Sequence, residues 1–493
     1  MTIDTSLPAP GQASAAGAAS AAHEPVLPGE HFERLRAELS GDLVLPGEDG
    51  WDSARAAWQL LVDQHPAAVV VAADVHDVAT TVACARRLGL HVAPQSTGHA
   101  AGALGPLTDT ILLRTARLDG IAIDAEARTA RVGAGVTAAA LAAAVAEHGC
   151  AAVSGMAPSV GVVGSTLGGG LGWLARSHGL GVNSILSIDA VDAQGHVIRV
   201  DAEHHADLFW AVRGGIAPVI VTAIELQLHE IGELHAGALM WPLERAADVA
   251  HAWREWIEEL PEAVTSLARV LRYPPIPEIP DFLRARSFVA VEAAIQADAA
   301  TAASLLQPLR DLRPELDSVR PMSPAELSTV HGDPAHPAPG FGEAVVLTDI
   351  TAASMDALID VALEPSSQSL LSIELRHLGG RTAPGGTAGG VVSAIDGAGL
   401  VFAVGLVPFP GALAAVKDAA TAVADRMQPF ASSAVVKNFA ERPTAAATLY
   451  GIDAERLRRV ACAWDPEGVI RVGHPLDGPL AAPVKRDTPP VLD

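Results

Sequence analysis

Three groups of residues in this chain have the types and spacing for chemistry. The densest is the run from Gly161 to Gly172, in which six of twelve residues are glycine and the gaps hold Val162, Val163, Leu167 and Leu171. Glycine at that density costs conformational entropy, so a folded chain keeps it where main chain must turn sharply or approach another group closely. Bared consecutive N–H groups can cradle a phosphate or an electron-rich ring. A flexible linker would be polar and serine-rich, whereas this run is apolar and sits mid-domain. The second group is Gln95-Ser96-Thr97-Gly98-His99-Ala100-Ala101-Gly102, a small polar loop with tandem main-chain donors suited to a pyrophosphate. The third is Glu374-Leu375-Arg376-His377. Period-two alternation puts Glu374 and Arg376 on one strand face, where the pair either takes a proton or binds a polar group, or serves as a structural ion pair.

The elements that must position these groups follow from periodicity. An amphipathic segment over 30–64 leads to a strand at Val69–Ala72. A helix from Asp74 to Leu88 follows, capped by Asp74 and ended by Gly89, and then a strand at His91–Pro94. Strands follow at Thr110–Leu113, near Ile121 and at Ala130–Val132. The last opens Gly133-Ala134-Gly135-Val136-Thr137-Ala138 before an Ala-rich helix to His148. This has the form of a dinucleotide fingerprint. The acid expected about 20 positions on is absent, Val153 standing there, so a nicotinamide-dependent dehydrogenase ranks last. Ser187–Asp192 and His196–Val200 read as a hairpin turned at Gln194-Gly195, and Val219–Leu228 as a strand. From Ile231 strand-like runs (Ala236–Met240, Ser287–Val291, Ala344–Leu347, Leu370–Arg376, Leu400–Leu406) alternate with helices. They predict a separate α+β domain on a mostly antiparallel sheet. From Val435 the chain reads strand, loop, helix (Ala454–Ala463) and a terminating turn at Trp464–Gly468.

Composition narrows the partners. A formal charge of −24 argues against nucleic acid or an anionic membrane, and no apolar run is long enough to span a bilayer. Cys84, Cys150 and Cys462 are too few and scattered for a disulfide framework or zinc cluster and read as small buried hydrophobes. The N-terminus lacks the basic start and apolar block of a signal peptide, so residues 1–29 read as a disordered leader on a cytoplasmic protein, monomer or homodimer. Walker, HExxH, GxSxG and paired-Cys motifs are absent, and with them the usual NTPase and hydrolase readings.

Residues 67–230 resemble the FAD-binding domain of the vanillyl-alcohol-oxidase/PCMH flavoprotein superfamily, and 435–476 resemble the C-terminal segment of its berberine-bridge-enzyme-like branch. Four blocks carry the first match: Ser96-Thr97-Gly98-His99 with Ala101-Gly102, Gly133-Ala134-Gly135-Val136, Val160-Gly161-Val162-Val163-Gly164 running into Gly168-Gly169-Gly170-Leu171-Gly172, and Asp207 to Gly215. Asn438-Phe439, Arg456-Leu457, Asp465-Pro466 and His474 carry the second. The resemblance implies an α+β fold: a two-subdomain FAD module over 30–230, completed by 433–476, and a substrate domain over 231–432 whose antiparallel sheet roofs the isoalloxazine, with a tail at 477–493. It implies FAD contacts at Gln95, Ser96, Thr97, Gly98, His99 and Ala100, at Gly155, Met156, Ala157, Val160 and Gly161, at Gly164, Ser165, Gly168, Gly169, Gly170 and Gly172, and at Asn183, Val221 and Asn438. His99 takes the position commonly bonded to the flavin 8α-methyl. The second, cysteinyl link of some relatives has no counterpart, because Met156 and Ala157 follow Ser154-Gly155.

Two departures bear on mechanism. Relatives place Arg-Gly-Gly-Gly-Gly-Asn-Phe-Gly where this chain has the shorter Arg213-Gly214-Gly215-Ile216-Ala217-Pro218. Many relatives carry a catalytic tyrosine two residues before the asparagine, where Val436 stands, and neither Tyr273 nor Tyr450 is placed to replace it. Glu374, Arg376 and Asn438 are left as catalytic candidates, with the base itself unassigned. The resulting expectation is an FAD-dependent oxidoreductase, an oxidase passing electrons from a C–H next to O or N of a small organic or natural-product substrate to dioxygen. Val160, at the position that in relatives gates oxygen, is compatible with it. A flavin-scaffolded non-redox cyclase or ligand-binding protein of the same fold is the alternative.

Overall fold

A computed structural model describes residues 28–385 and 389–476. The expected leader up to residue 27 and the expected tail lie outside the described residues, and a first helix, Pro28–Glu38, begins two residues before the expected boundary.

Two sheets build the N-terminal half. In the first, Ala68–Val71 pairs antiparallel with Asp42–Val44 and parallel with Thr110–Arg114, which pairs parallel with His91–Gln95. The helix Val75–Leu88 covers it. Asp74 caps the start by accepting from Asp77 N, and Gly89 ends it in the left-handed conformation. The second sheet is antiparallel throughout, in the order Ile121–Asp124, Thr129–Gly133, Ile220–Gln227, Ile185–Val191, Val197–Asp201. The strand before Gly133-Ala134-Gly135 therefore lies in an antiparallel sheet, not in the parallel βαβ unit a dinucleotide fingerprint requires. The hairpin turns at Gly195, with φ of +89°.

A third sheet of eight strands occupies 234–406, antiparallel throughout. One of its central strands, Val264–Arg272, escapes the sequence reading. Its residues up to Leu271 are all buried, so both faces are covered and the run lacks the hydrophobic-polar alternation that marks a half-exposed strand. Leu375, Ile373, Val270 and Val401 turn toward the helices Ala246–Ile257, Ala352–Leu363 and Ala412–Met427. The opposite face carries Arg269, Glu292, Glu374, Arg376 and Phe402 and turns toward the N-terminal half, because cross-strand partners share a face.

The C-terminal segment returns to the first sheet, with Val92 N donating to Val469 O (2.7 Å) and Arg471 N to Val92 O (2.9 Å). The expected strand at Val435 is not formed: Lys437–Phe439 is a 3-10 turn. Lys437, Asn438 and Phe439 reach three different neighbours, and a strand offers only two sides.

Around this frame the glycine run closes. A side chain on Gly172 would collide with the Ser154 carbonyl oxygen. Gly170, at φ +74°, passes 3.0 Å from the Gly181 Cα when given a Cβ. Gly172→Ala is expected to lower stability by roughly 3 kcal/mol or more, the upper end of overpacking costs, read as a shift in urea midpoint or as loss of soluble protein.

Candidate functional site

The site lies where the loop after His91–Gln95, the glycine run, the turn at Lys437–Phe439 and the sheet face meet. The loop is set first. Gln95 and Gln64 exchange side-chain hydrogen bonds of 3.0 Å in the core. Trp58 N donates to Thr97 O, and Gln59 grips both the N–H and the C=O of Gly340 on the sheet edge. Gly98 has φ of +89°, and a Cβ placed on it would lie 2.9 Å from Ala57, so it tolerates no side chain. Among the described residues, the main-chain N–H groups of Ser96, Thr97, Gly98, His99 and Ala100 donate to no acceptor. The hydroxyl of Ser96 is likewise buried without a partner. Gly98 is buried, Ser96, Thr97 and His99 are half-buried and Ala100 is exposed, so the loop presents a run of uncommitted main-chain donors that an anion or polar ligand can engage.

His99 stands at the centre of this loop. Its ring stacks on Trp58 (centroids 4.5 Å, 13° between planes). Nδ1 lies 2.7 Å from Thr97 Oγ1 and Nε2 lies 3.4 Å from Ser159 Oγ. Burial pushes its pKa down to about 4, so the imidazole is neutral at physiological pH. Across from the loop, a Cβ on Gly161 would come within 3.0 Å of Ser96 Oγ, while one on the exposed Gly164 would meet open space. Gly155, Ala157 and Val160 line the approach to that turn. These residues form a cradle of main chain that an extended anionic cofactor such as FAD fits.

The remaining predicted contacts divide. Asn438 bridges the glycine run: its Nδ2 donates to Ser165 O (2.9 Å) and its Oδ1 accepts from Gly170 N (3.1 Å). A Cβ on Gly168 would meet the same amide at 2.6 Å. Both ends of Asn438 are thus engaged with main chain. Val182 N and Gly181 N donate to Gly169 O and Gly170 O, which fixes the adjacent turn, but the Asn183 side chain donates to Ser393 O. Val221 sits in its strand opposite Ala190, beneath the helix Val162–Leu167. The shortened run at Gly214-Gly215 is filled from outside: Val392 abuts Gly214, and Lys437 Nζ and Tyr450 OH both donate to Gly215 O.

Above the cradle the sheet presents a buried ion cluster. Arg376 donates from Nε (2.8 Å) and Nη2 (2.7 Å) to Glu374 Oε1. His331, from the loop after the turn Pro324–Thr329, places Nδ1 2.7 Å from Glu292 Oε2 and Nε2 3.2 Å from Glu374 Oε2. Arg269 pairs with Glu292 and donates to His331 O. Carboxylates only accept, so an imidazole facing two of them carries protons on both nitrogens. Its pKa is accordingly raised to about 9: burial opposes the charge, and Glu292 and Glu374 more than offset it. Glu374 and Glu292 are held well below the usual carboxylate range, desolvation being outweighed by Arg376 and Arg269 with His331. Arg376 also reaches down to the cradle, with Nη1 3.1 Å from Met156 Sδ and its guanidinium 4.9 Å over the Phe439 ring. Phe439 packs edge-on to Phe402 at 5.0 Å.

Sequence reasoning missed Arg269, Glu292, His331, Trp58 and Glu441. Glu441 lies at the seam between the first loop and the sheet, its Oε2 accepting from Gly342 N (3.2 Å), and burial raises its pKa to about 7. Arg269 shares a strand face with Leu267 and Leu271, a placement legible once that strand is recognised. His331 and Glu441 sit in irregular segments with no local pattern.

Comparison with known proteins agrees with this arrangement. Residues 66–201 match a family model described as an FAD binding domain. (R)-6-hydroxynicotine oxidase of Paenarthrobacter nicotinovorans is 34% identical over 205 residues, 41% of this chain and 45% of that protein. Glucooligosaccharide oxidase of Sarocladium strictum is 31% identical over 190 residues, 38% of each chain. The chain spans about half the length or less of the curated relatives it matches. In three dimensions, BBE-like 1 of Physcomitrella patens superposes with a TM-score of 0.77 at 18% identity, over 91% of this chain and 99% of that one. 6-Hydroxy-D-nicotine oxidase of Arthrobacter nicotinovorans gives 0.75 at 24%, over 87% and 96%.

Two titrations test the electrostatics. His331 has a raised pKa in the folded state, so its ion pairs stabilise fully below its ordinary value of 6.5 and are lost as pH rises through about 9. His331→Gln is expected to cost about 3 kcal/mol at pH 7, with the gap to wild type narrowing by pH 10 in urea unfolding. Glu441 is also raised, but for a carboxyl this means stability falls as pH climbs from 4.5 toward about 7. Glu441→Gln is expected to remove that fall, leaving the variant the more stable at pH 8.

The stretch 66–201 thus matches an FAD binding domain, and the chain around it has the mixed α+β fold of BBE-like 1 and 6-hydroxy-D-nicotine oxidase.

Proposed function

We propose that the protein is an FAD-dependent oxidase that takes two electrons and a hydrogen from a C–H bond next to oxygen or nitrogen in a small organic substrate. The observation that carries this reading is the run of five undonated amides from Ser96 to Ala100, facing the bare turn at Gly161 with His99 at its centre. The oxidase names of the sequence relatives support it. Bound FAD would supply the two-electron acceptor, with dioxygen as the terminal oxidant.

The chain's own residues do the rest. The amides of 96–100 receive anionic cofactor oxygens, and the bare glycines let main chain approach without a side chain intervening. Asn438 holds the two ends of the glycine turn together and so positions it. Glu374 fixes the guanidinium plane of Arg376 against the cradle, and Arg376 orients a polar substrate group. Val160, partly exposed beside Gly155, leaves small-molecule access compatible with dioxygen.

His99 is the proposed attachment point. It is neutral and held by Trp58 and Thr97, so one of its nitrogens retains a lone pair. That nitrogen would hold the flavin through a bond to its 8α-methyl carbon, a linkage whose formation gives up two electrons and two protons that the bound flavin with dioxygen would take up. Purified protein is expected to be yellow, with an intact mass raised by one FAD on the peptide bearing His99. Acid precipitation should release flavin only from His99→Ala. A colourless protein refutes the cofactor, and wild-type flavin freed by acid refutes the bond.

A further inference from the structure

The roof of the site has an unmet demand for an oxygen acceptor. Arg376 is 8% exposed and carries five N–H bonds, yet among the described residues its sole oxygen partner is Oε1 of Glu374. Its other neighbours are a thioether, Met156 Sδ, and the face of Phe439. A sulfur and a ring face offset little of the cost of desolvating a guanidinium. The surrounding charges do not make up the difference. Glu374 is shared with His331, and Glu292 is taken by His331 and Arg269. The fully buried members are thus three cations and two carboxylates. Asp333, which contributes a further negative charge, lies 4.0 Å from His331 Nε2 at the partly exposed rim. Arg376 is the cation left facing the cradle, because Met156 belongs to the segment before the glycine run and Phe439 to the turn that holds it.

We propose that the site takes a substrate bearing a carboxylate, seated on Nη1 of Arg376, with an apolar body against Phe439 and Phe402. An oxygen anion completes the guanidinium's hydrogen bonding on the cradle side, whereas an ammonium group would set a further cation against it. The T-shaped pair Phe402–Phe439 adjoins the guanidinium, so a flat or aliphatic body bonded to the carboxylate meets ring surface and not water. This assignment rests on the flavoenzyme reading for the location of the site, but it concerns binding and not turnover.

The test is calorimetric titration of the purified, flavin-loaded protein with benzoate, hexanoate, benzyl alcohol and benzylamine. The expected result is that at least one carboxylate binds ten times or more tightly than the alcohol and the amine, and perturbs the flavin absorption band. Arg376→Met should weaken that carboxylate at least tenfold, and Arg376→Lys should fall between. Binding of the amine or the alcohol as tight as that of the tighter-binding carboxylate overturns the proposal. So does carboxylate affinity unchanged in Arg376→Met, or no carboxylate binding at millimolar concentration. Should Arg376→Met fail to fold, the wild-type ligand series decides alone. A yellow protein that ignores carboxylates refutes this inference and leaves the flavin reading standing. A colourless protein that still binds benzoate through Arg376 does the reverse.

Discussion

Everything in this molecule depends on the close approach of main chain to main chain around residues 161–172. Gly172 lies against the Ser154 carbonyl, Gly170 against Gly181, and the Gly168–Gly170 turn against the amide of Asn438. A Cβ at any of these points would push a segment away, and the displaced segments are those that make the site. The turn at Lys437–Phe439 can sit on the glycine run only because no side chain is in the way. Phe439 then meets Arg376, and through it the whole sheet. Close packing transmits such placement because dense interiors have few compliant gaps.

Two kinds of buried charge coexist here, and burial treats them differently. In the sheet, Arg269, Glu292, His331, Glu374 and Arg376 hold one another ionised, because each has an opposite charge within contact distance. In the C-terminal segment, Lys437 and Glu441 bond to main chain and have no such partner among the described residues. Burial lowers the pKa of the first to about 8 and raises that of the second to about 7. A buried cluster of this kind contributes less to stability than its pairing suggests, since desolvation offsets attraction. Its contribution is orientation: Glu374 and His331 lock the plane in which Arg376 faces the cradle.

Much of the N-terminal half could be read in the chain. The capped helix after Asp74, the turn at Gly195 and the antiparallel character of the later sheet all follow from local rules, and the glycine blocks pointed to the loop at His99. The expected strand at Val435 failed because three consecutive side chains are drawn to three unrelated neighbours, which no local pattern records. The strand Val264–Arg272 was hidden for the opposite reason. Covered on both faces, it loses the alternation that exposes a strand to view. Asn438 appeared open to cofactor or substrate, and folding commits both ends of its amide to the glycine turn.

By itself the sequence determined where main chain is bare, which residue stands in the first loop, and that Glu374 and Arg376 share a face. Those are properties of short stretches, governed by side-chain absence and by the strand's period of two. Only the tertiary structure decided that Glu374 is shared with His331, that Trp58 stacks on His99, and that Arg376 is left short of an oxygen. Each of these joins residues far apart in the chain, and whether a charge is satisfied depends on the sum of neighbours that folding assembles.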